Sequence, residues 1–165
     1  MKSKLFYFLL IPLFLGIFQS CGGKKEDAYA EWKKENEAHI EKIRSNPAYS
    51  VATVPGGPGA IYYKALETPE NGNGISPFYT SKVVVSYKGS LINETVFDDA
   101  SNRTVEFYVN GVVQGFGIAL QNMQVGDKWE IHIPWRLGYG ATTTGSIPPY
   151  SALIFELELI EISQY

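Results

Sequence analysis

The chain has 165 residues, of which 45% are hydrophobic and 14% aromatic, so it can bury a core of its own and is not globally disordered. Its net charge of −3 argues against nucleic acid, whose phosphates call for clustered Lys and Arg. Cys21 is the only cysteine, which excludes an intramolecular disulfide scaffold.

Met1 to Lys4 is basic and Leu5 to Phe18 is apolar, the form of a secretory signal and shorter than the ~20 residues of a spanning helix. Cys21 follows a small residue at the end of this run, as in a bacterial lipobox, although Phe18 and Gln19 replace the usual aliphatic and small residues. The expectation is a lipoprotein-type signal peptide over 1–21, with lipidation at Cys21 tethering the protein to the periplasmic or outer face of a bacterial membrane. Removing Lys2 and Lys4 with the signal takes the net charge from −3 to −5.

Glu26 to Ser45 has Tyr29, Trp32, Asn36, Ile40 and Ile43 near one stripe, which predicts a helix, read as packing on its own domain or spacing it from the membrane in preference to an interaction or dimerisation arm. Asn46-Pro47 ends it, and Val54-Pro55-Gly56-Gly57-Pro58-Gly59 is a turn-rich connector. Residues 22–59 are therefore expected to form a helix and linker, and 60–165 the globular domain. Strands are predicted over Ile61 to Leu66, Lys82 to Ile92, Thr95 to Asp98 and Val105 to Val109. Phe116, Ala119, Leu120 and Met123 have the spacing of one short helix. In Lys128 to Ile133, Trp129, Ile131 and Ile133 share one strand face, which places His132 on the other, solvated one. Leu153 to Ile160 is the last strand. Six strands at most and no βαβ rhythm predict an α+β domain, an antiparallel sheet with a helix against one face.

The thirteen residues from Leu137 to Pro149 hold three glycines and two prolines and are read as a loop between the two best strand patterns. Catalytic motifs are missing: no Gly-x-Ser-x-Gly, no His-Glu-x-x-His, no P-loop, and no metal-ligand cluster. What remains is a set of aromatic and aliphatic residues at strand ends and loops, with Asp98 and tyrosine hydroxyls as the polar groups beside them. An apolar pocket with few polar atoms suits a small molecule or a peptide.

Several blocks extend this reading: Val84-Val85-Ser86-Tyr87-Lys88-Gly89, Thr95-Val96-Phe97-Asp98, Gly111 to Phe116, Gln121 to Trp129, Leu137-Gly138-Tyr139-Gly140 and Ile147-Pro148-Pro149-Tyr150 through Leu159. In this order they resemble the FKBP-type peptidyl-prolyl cis/trans isomerases, over about residues 80 to 162. The resemblance implies a five- to six-stranded antiparallel sheet wrapped around a short helix, and isomerisation of X-Pro bonds in proline-containing polypeptides without cofactor or metal. Carried over by position, Tyr87, Phe97, Val112, Val113, Ile147 and Phe155 would wall the pocket and Phe116 would floor it. Asp98 and Tyr139 would be its polar edges, the Val113 N–H would hold a substrate carbonyl, and Arg103 would orient Asp98. Phe116 stands where the family usually has Trp, Val105 stands at a frequent aromatic position, and Ala141 to Ser146 is compressed. These departures keep open a second expectation, a non-catalytic chaperone or peptide-binding module of the cell envelope.

Overall fold

The computed structural model describes residues 28–70 and 74–165. The signal peptide and Cys21 lie outside the described residues. Two helices, α1 (Ala30–Arg44) and α2 (Gln114–Asn122), accompany seven strands: β1 (Ser50–Ala52), β2 (Ile61–Glu67), β3 (Lys82–Ser90), β4 (Val96–Asp99), β5 (Val105–Tyr108), β6 (Lys128–Ile133) and β7 (Leu153–Gln164). All pairings are antiparallel, in the order β1-β2-β6-β7-β3-β4, and β5 also pairs with β3. The seventh strand is β1, inside the segment expected to be a linker. Three residues between Pro47 and Pro55 are too short for a readable alternation, so only its pairing with β2 marks it as a strand.

The long strand β7 lies between β6 and β3, and its alternation is the clearest in the chain. Leu153, Leu157 and Leu159 are fully buried and Phe155 nearly so, while the intervening residues are half-buried or exposed. With Ile131 and Ile133 of β6 and Val83 and Val85 of β3, they form one apolar face. Against this face lies α2, in which every residue from Gly115 to Leu120 is buried. Glycine weakens a helix by about 1 kcal/mol relative to alanine, yet α2 carries two near its start. The reason is space. A Cβ at 115 would stand 2.2 Å from Ile133 Cγ2, and one at 117 would stand 3.0 Å from the Val109 carbonyl oxygen. Burial of Phe116, Ile118 and Leu120, each contributing roughly 1.5–3 kcal/mol, outweighs the cost of both glycines.

Strands β4 and β5 occupy successive stretches of the same edge of β3. Between them the chain turns at Ala100 to Arg103, with the Ala100 N–H bonded to the Tyr87 carbonyl at 2.8 Å. Within the β3–β4 ladder a register shift between Gly89 and Ser90 leaves Phe97 as an extra residue between the pairs of Asp98 and Val96, and a bulge of this kind bends a strand and re-aims its side chains.

Helix α1 packs on the other side of β6, as the intramolecular reading of its stripe requires. Asn36 is fully buried, and its Oδ1 accepts the Ala152 N–H at 2.7 Å. Trp32 Nε1 donates to Ser151 Oγ at 3.0 Å, and that hydroxyl donates to the Pro148 carbonyl at 2.8 Å. The expected solvated His132 is corrected here: it is 4% exposed, because α1 covers the strand face opposite the core. His132 Nδ1 lies 3.0 Å from His39 Nε2, and its Nε2 lies 2.9 Å from Glu130 Oε1. Since a carboxylate only accepts, His132 donates from Nε2 and receives the His39 proton at Nδ1. Tyr49 also donates to Glu130 Oε1, at 2.5 Å.

Two predictions follow from this packing. Gly115→Ala raises helix propensity but forces a methyl into Ile133, so it should destabilise by about 1–3 kcal/mol in urea titration. Burial holds the His132 imidazole below its ordinary value of 6.5 against the pull of Glu130. Burial, then the charges of His132 and Lys42, hold His39 below it too. The unfolded chain therefore binds protons below pH 6.5 that the folded network refuses. Stability should be full above that pH and fall as pH drops below it, with a shallower fall in His39→Gln, measured as the urea midpoint at each pH.

Candidate functional site

At the open end of the sheet, residues from five elements and two loops enclose a cavity of about 560 Å³. β3 contributes Tyr87, β4 Phe97 and Asp98, β5 Phe107, and β7 Phe155. Val112 and Val113 come from the segment entering α2, and Phe116 from its first turn. The rings meet edge to face: Phe116 with Phe155 at 5.1 Å and 83°, Tyr87 with Phe116 at 5.9 Å and 82°, and Phe97 with Phe155 at 5.5 Å and 87°. This geometry suits ring quadrupoles and fixes each ring by its neighbours. It also needs an absent side chain. A Cβ on Gly89 would stand 2.6 Å from Phe97 and 2.7 Å from Phe155.

The polar atoms at this site are few. Tyr87 donates its hydroxyl to Asp98 Oδ2 at 2.6 Å. Burial first, and then this hydrogen bond, push the Tyr87 phenol up to about 12, so it remains a protonated donor that fixes the carboxylate. The Val113 N–H and the Tyr139 hydroxyl make no hydrogen bonds among the described residues, and both residues line the cavity. Asp98 and Tyr139 are exposed, so their polar ends reach the mouth rather than the floor. Among the described residues no group of His, Cys, Asp and Glu could hold a metal ion.

The loop from Leu137 to Pro149 closes one side. Gly140 and Gly145 have φ of 68° and 55°, a region that favours glycine. Thr144 and Ile147 exchange backbone hydrogen bonds at 3.0 and 2.9 Å, and the resulting tight turn places Ile147, 5% exposed, in the cavity wall. The base of the loop is held by the Tyr150 N–H, which donates to the Gly140 carbonyl at 2.8 Å. It is held again from α1, where Trp32 and Asn36 fix Ser151 and Ala152, and where Lys33 Nζ sits 5.0 Å from the Tyr150 ring centre.

Ten of the residues singled out in the sequence, Tyr87, Phe97, Asp98, Val112, Val113, Phe116, Tyr139, Ile147, Phe155 and the lone exception Arg103, divide nine to one: all but Arg103 line this cavity. Arg103 is exposed on the Ala100 to Arg103 turn and makes no ion pair with Asp98 among the described residues. Its direct orienting role passes to Tyr87. The guanidinium is felt only at a distance, as a charge that favours ionisation of Tyr87 and is outweighed there by burial and Asp98. Phe107 and Gly111 also line the cavity and were not expected, and Thr144 to Ser146 line it as part of the rim loop between Tyr139 and Ile147. Phe107 was within reach of the sequence, because it alternates with Val105 on the inner face of β5, and it contacts Tyr87 at 5.9 Å and Phe116 at 6.4 Å. The loop residues are announced only by the Gly and Pro content that marks the loop as a whole.

A family model described as FKBP-type peptidyl-prolyl cis-trans isomerase matches residues 75–160. The FKBP-type 22 kDa peptidyl-prolyl cis-trans isomerase of Escherichia coli K12 is 51% identical over 94 residues, which are 55% of this chain and 46% of that protein. FkpA of the same organism is 33% identical over 143 residues, 84% of this chain and 52% of FkpA. The chain thus spans about half the length of these curated relatives. A 1.6 Å crystal structure of a peptidyl-prolyl cis-trans isomerase from Pseudomonas syringae superposes with a TM-score of 0.71 at 34% identity, covering 84% of this chain and 98% of that one. The crystal structure of E. coli FkpA gives 0.67 at 31% identity, covering 81% of this chain and 62% of that one. With the fold, the cavity and the family model in agreement, the chain belongs to the FKBP-type peptidyl-prolyl cis-trans isomerase family.

Proposed function

We propose that the protein catalyses cis-trans isomerisation of X-Pro bonds in exported polypeptides and so assists their folding. The observation that carries this reading is one apolar cavity, walled by edge-to-face rings, that collects the nine expected positions. Rotation about an X-Pro bond meets a barrier near ~18–20 kcal/mol and takes roughly tens to hundreds of seconds unaided. No covalent bond breaks, so no nucleophile, acid or base is required. The planar amide owes its stability to charge separated onto oxygen, which water supports and a dry apolar wall does not.

A proline ring held among Phe97, Phe116, Val113 and Phe155 would be favoured in the twisted geometry whenever the flanking chain is fixed at the same time. The unspent Val113 N–H and Tyr139 hydroxyl are placed to fix it. Asp98, oriented by Tyr87, adds a negative edge at the mouth. Reaching milliseconds requires about 5–6 kcal/mol at ~1.4 per decade, which preorganised contacts of this kind can supply.

The N-terminal sequence supports an envelope location, with 1–21 as a lipoprotein-type signal and Cys21 as the lipid attachment point. One relative, 33% identical over 137 residues, is the outer membrane protein MIP of Legionella longbeachae. In this reading residues 22–59 tether and buttress the isomerase domain of 60–165. A non-catalytic peptide-binding module is the second reading, favoured by Phe116 at the floor and by the missing clasp between Arg103 and Asp98.

Residues 22–165 should accelerate isomerisation of a proline-containing test peptide; a folded fragment with no acceleration sinks the enzyme reading and leaves the binding module. Asp98→Ala and Tyr139→Phe should each lower kcat/KM by about tenfold, the worth of one hydrogen bond of ~1–1.5 kcal/mol. Their thermal unfolding should stay close to the parent's, and variants as active as the parent would remove these roles.

A further inference from the structure

A second cavity of about 590 Å³ adjoins the first, and Val112 lines both. Its walls are the connector residues Val54 and Pro55, the ring of Tyr79, and the outer side of α2 at Gln114, Ile118 and Gln121. Beyond it a third depression of about 530 Å³ shares Val54, Pro55, Tyr79 and Gln121 and reaches Pro77 and Phe78. The three form a track from the proline cavity, past Val112 and along α2, to the Phe78-Tyr79 corner. We infer that this track is an extended subsite for the polypeptide substrate itself, taking uncharged apolar residues several positions from the proline; this rests on the isomerase reading of the adjoining cavity.

Three observations support that occupant. None of the residues lining the second and third cavities is charged, in a chain where 19% of residues are. Phe78 and Tyr79 are 64% and 62% exposed, large apolar surfaces whose solvation costs free energy until something covers them. The side-chain amides of Asn110 and Gln114 make no hydrogen bonds among the described residues, and Gln121 spends only its donor, on the Gly117 carbonyl at 3.0 Å. Apolar walls interleaved with unspent amides fit an extended chain, which has side chains to bury and backbone groups to pair. Continuity decides between a separate partner and the substrate: a chain whose proline sits against Val113 must leave that cavity, and across Val112 the surface it meets is this track.

The test uses the full chain and a short X-Pro peptide, then the same peptide extended by uncharged apolar residues on its N-terminal or C-terminal side, and by acidic residues of equal length. One apolar extension should raise kcat/KM about tenfold, through KM, the effect of burying one more large side chain; the acidic one should not. Tyr79→Ala and Gln121→Ala should remove that gain and leave the short peptide's rate unchanged. The inference is overturned if neither apolar extension helps, if the gain survives both variants, or if the variants slow short and extended peptides alike. Binding of the labelled peptides, followed by anisotropy, separates the two readings. If no peptide is accelerated but the apolar extension still tightens binding through Tyr79, the isomerase reading fails and the track stands. Equal binding of short and extended peptides overturns the track alone. A concentration-dependent dimer dissociated by Tyr79→Ala would assign the surface to a second copy and also overturn it.

Discussion

Between Gly115 on α2 and Ile133 on β6 there is room for a hydrogen atom and nothing larger, since a Cβ at that position would lie 2.2 Å from the isoleucine methyl. The depth at which α2 sits in the sheet depends on this approach, and the site depends on the depth. Phe116 follows Gly115 and can serve as a floor only because the helix start is pressed against β6 and β7. Val112 and Val113, just before the helix, are thereby held at the wall. A second close approach, at Gly89, lets Phe97 and Phe155 meet across β3. Two missing side chains thus set the shape of a cavity made of large ones.

The cavity is anchored from outside the core as well. Trp32 and Asn36 reach from α1 to Ser151 and Ala152, and through Ser151 to the Pro148 carbonyl, one residue from Ile147 in the wall. An unpaired buried N–H at Ala152 would cost about 1–3 kcal/mol, so Asn36 ties the helix to the end of the rim loop by an interaction that is costly to break. The same helix covers His132 and joins it to His39, Glu130 and Tyr49. The segment carrying α1 is therefore part of the mechanical support of the site, and its His39 meets the buried imidazole of His132.

The proposed reaction asks little of the site's polar groups. Its one carboxylate is held by a phenol that stays protonated, so the pair supplies a fixed dipole and not a proton relay. Rotation of an amide asks only for a surface that fits the twisted form better than water does, and under the proposed isomerase function the ring cage, with two unspent donors at its edge, would supply one. The uncharged track beyond Val112 extends the same logic: contacts remote from the rotating bond can hold the chain while the bond turns.

How much of this was legible depended on which contacts were local. Strict alternation in β6 and β7, the i, i+3, i+4, i+7 spacing of α2, and the Gly and Pro content of the 137–149 loop each encode an element within a few residues, so the strands, the central helix and the rim could be read directly. The nine cavity residues came from ordered motifs resembling a family, since nothing in their periodicity distinguishes a pocket wall from a core. Three features were decided only by tertiary structure. β1 is too short to carry a pattern and exists through its pairing with β2. His132 lies on the polar face of its strand by sequence, and burial comes from a helix some ninety residues earlier, a contact no local pattern encodes. Asp98 is oriented by Tyr87 and not by Arg103, because the turn after β4 carries the arginine into solvent while the register of β3 against β4 brings the phenol within 2.6 Å. Local periodicity determines which residues face inward; only the folded chain decides what they meet there.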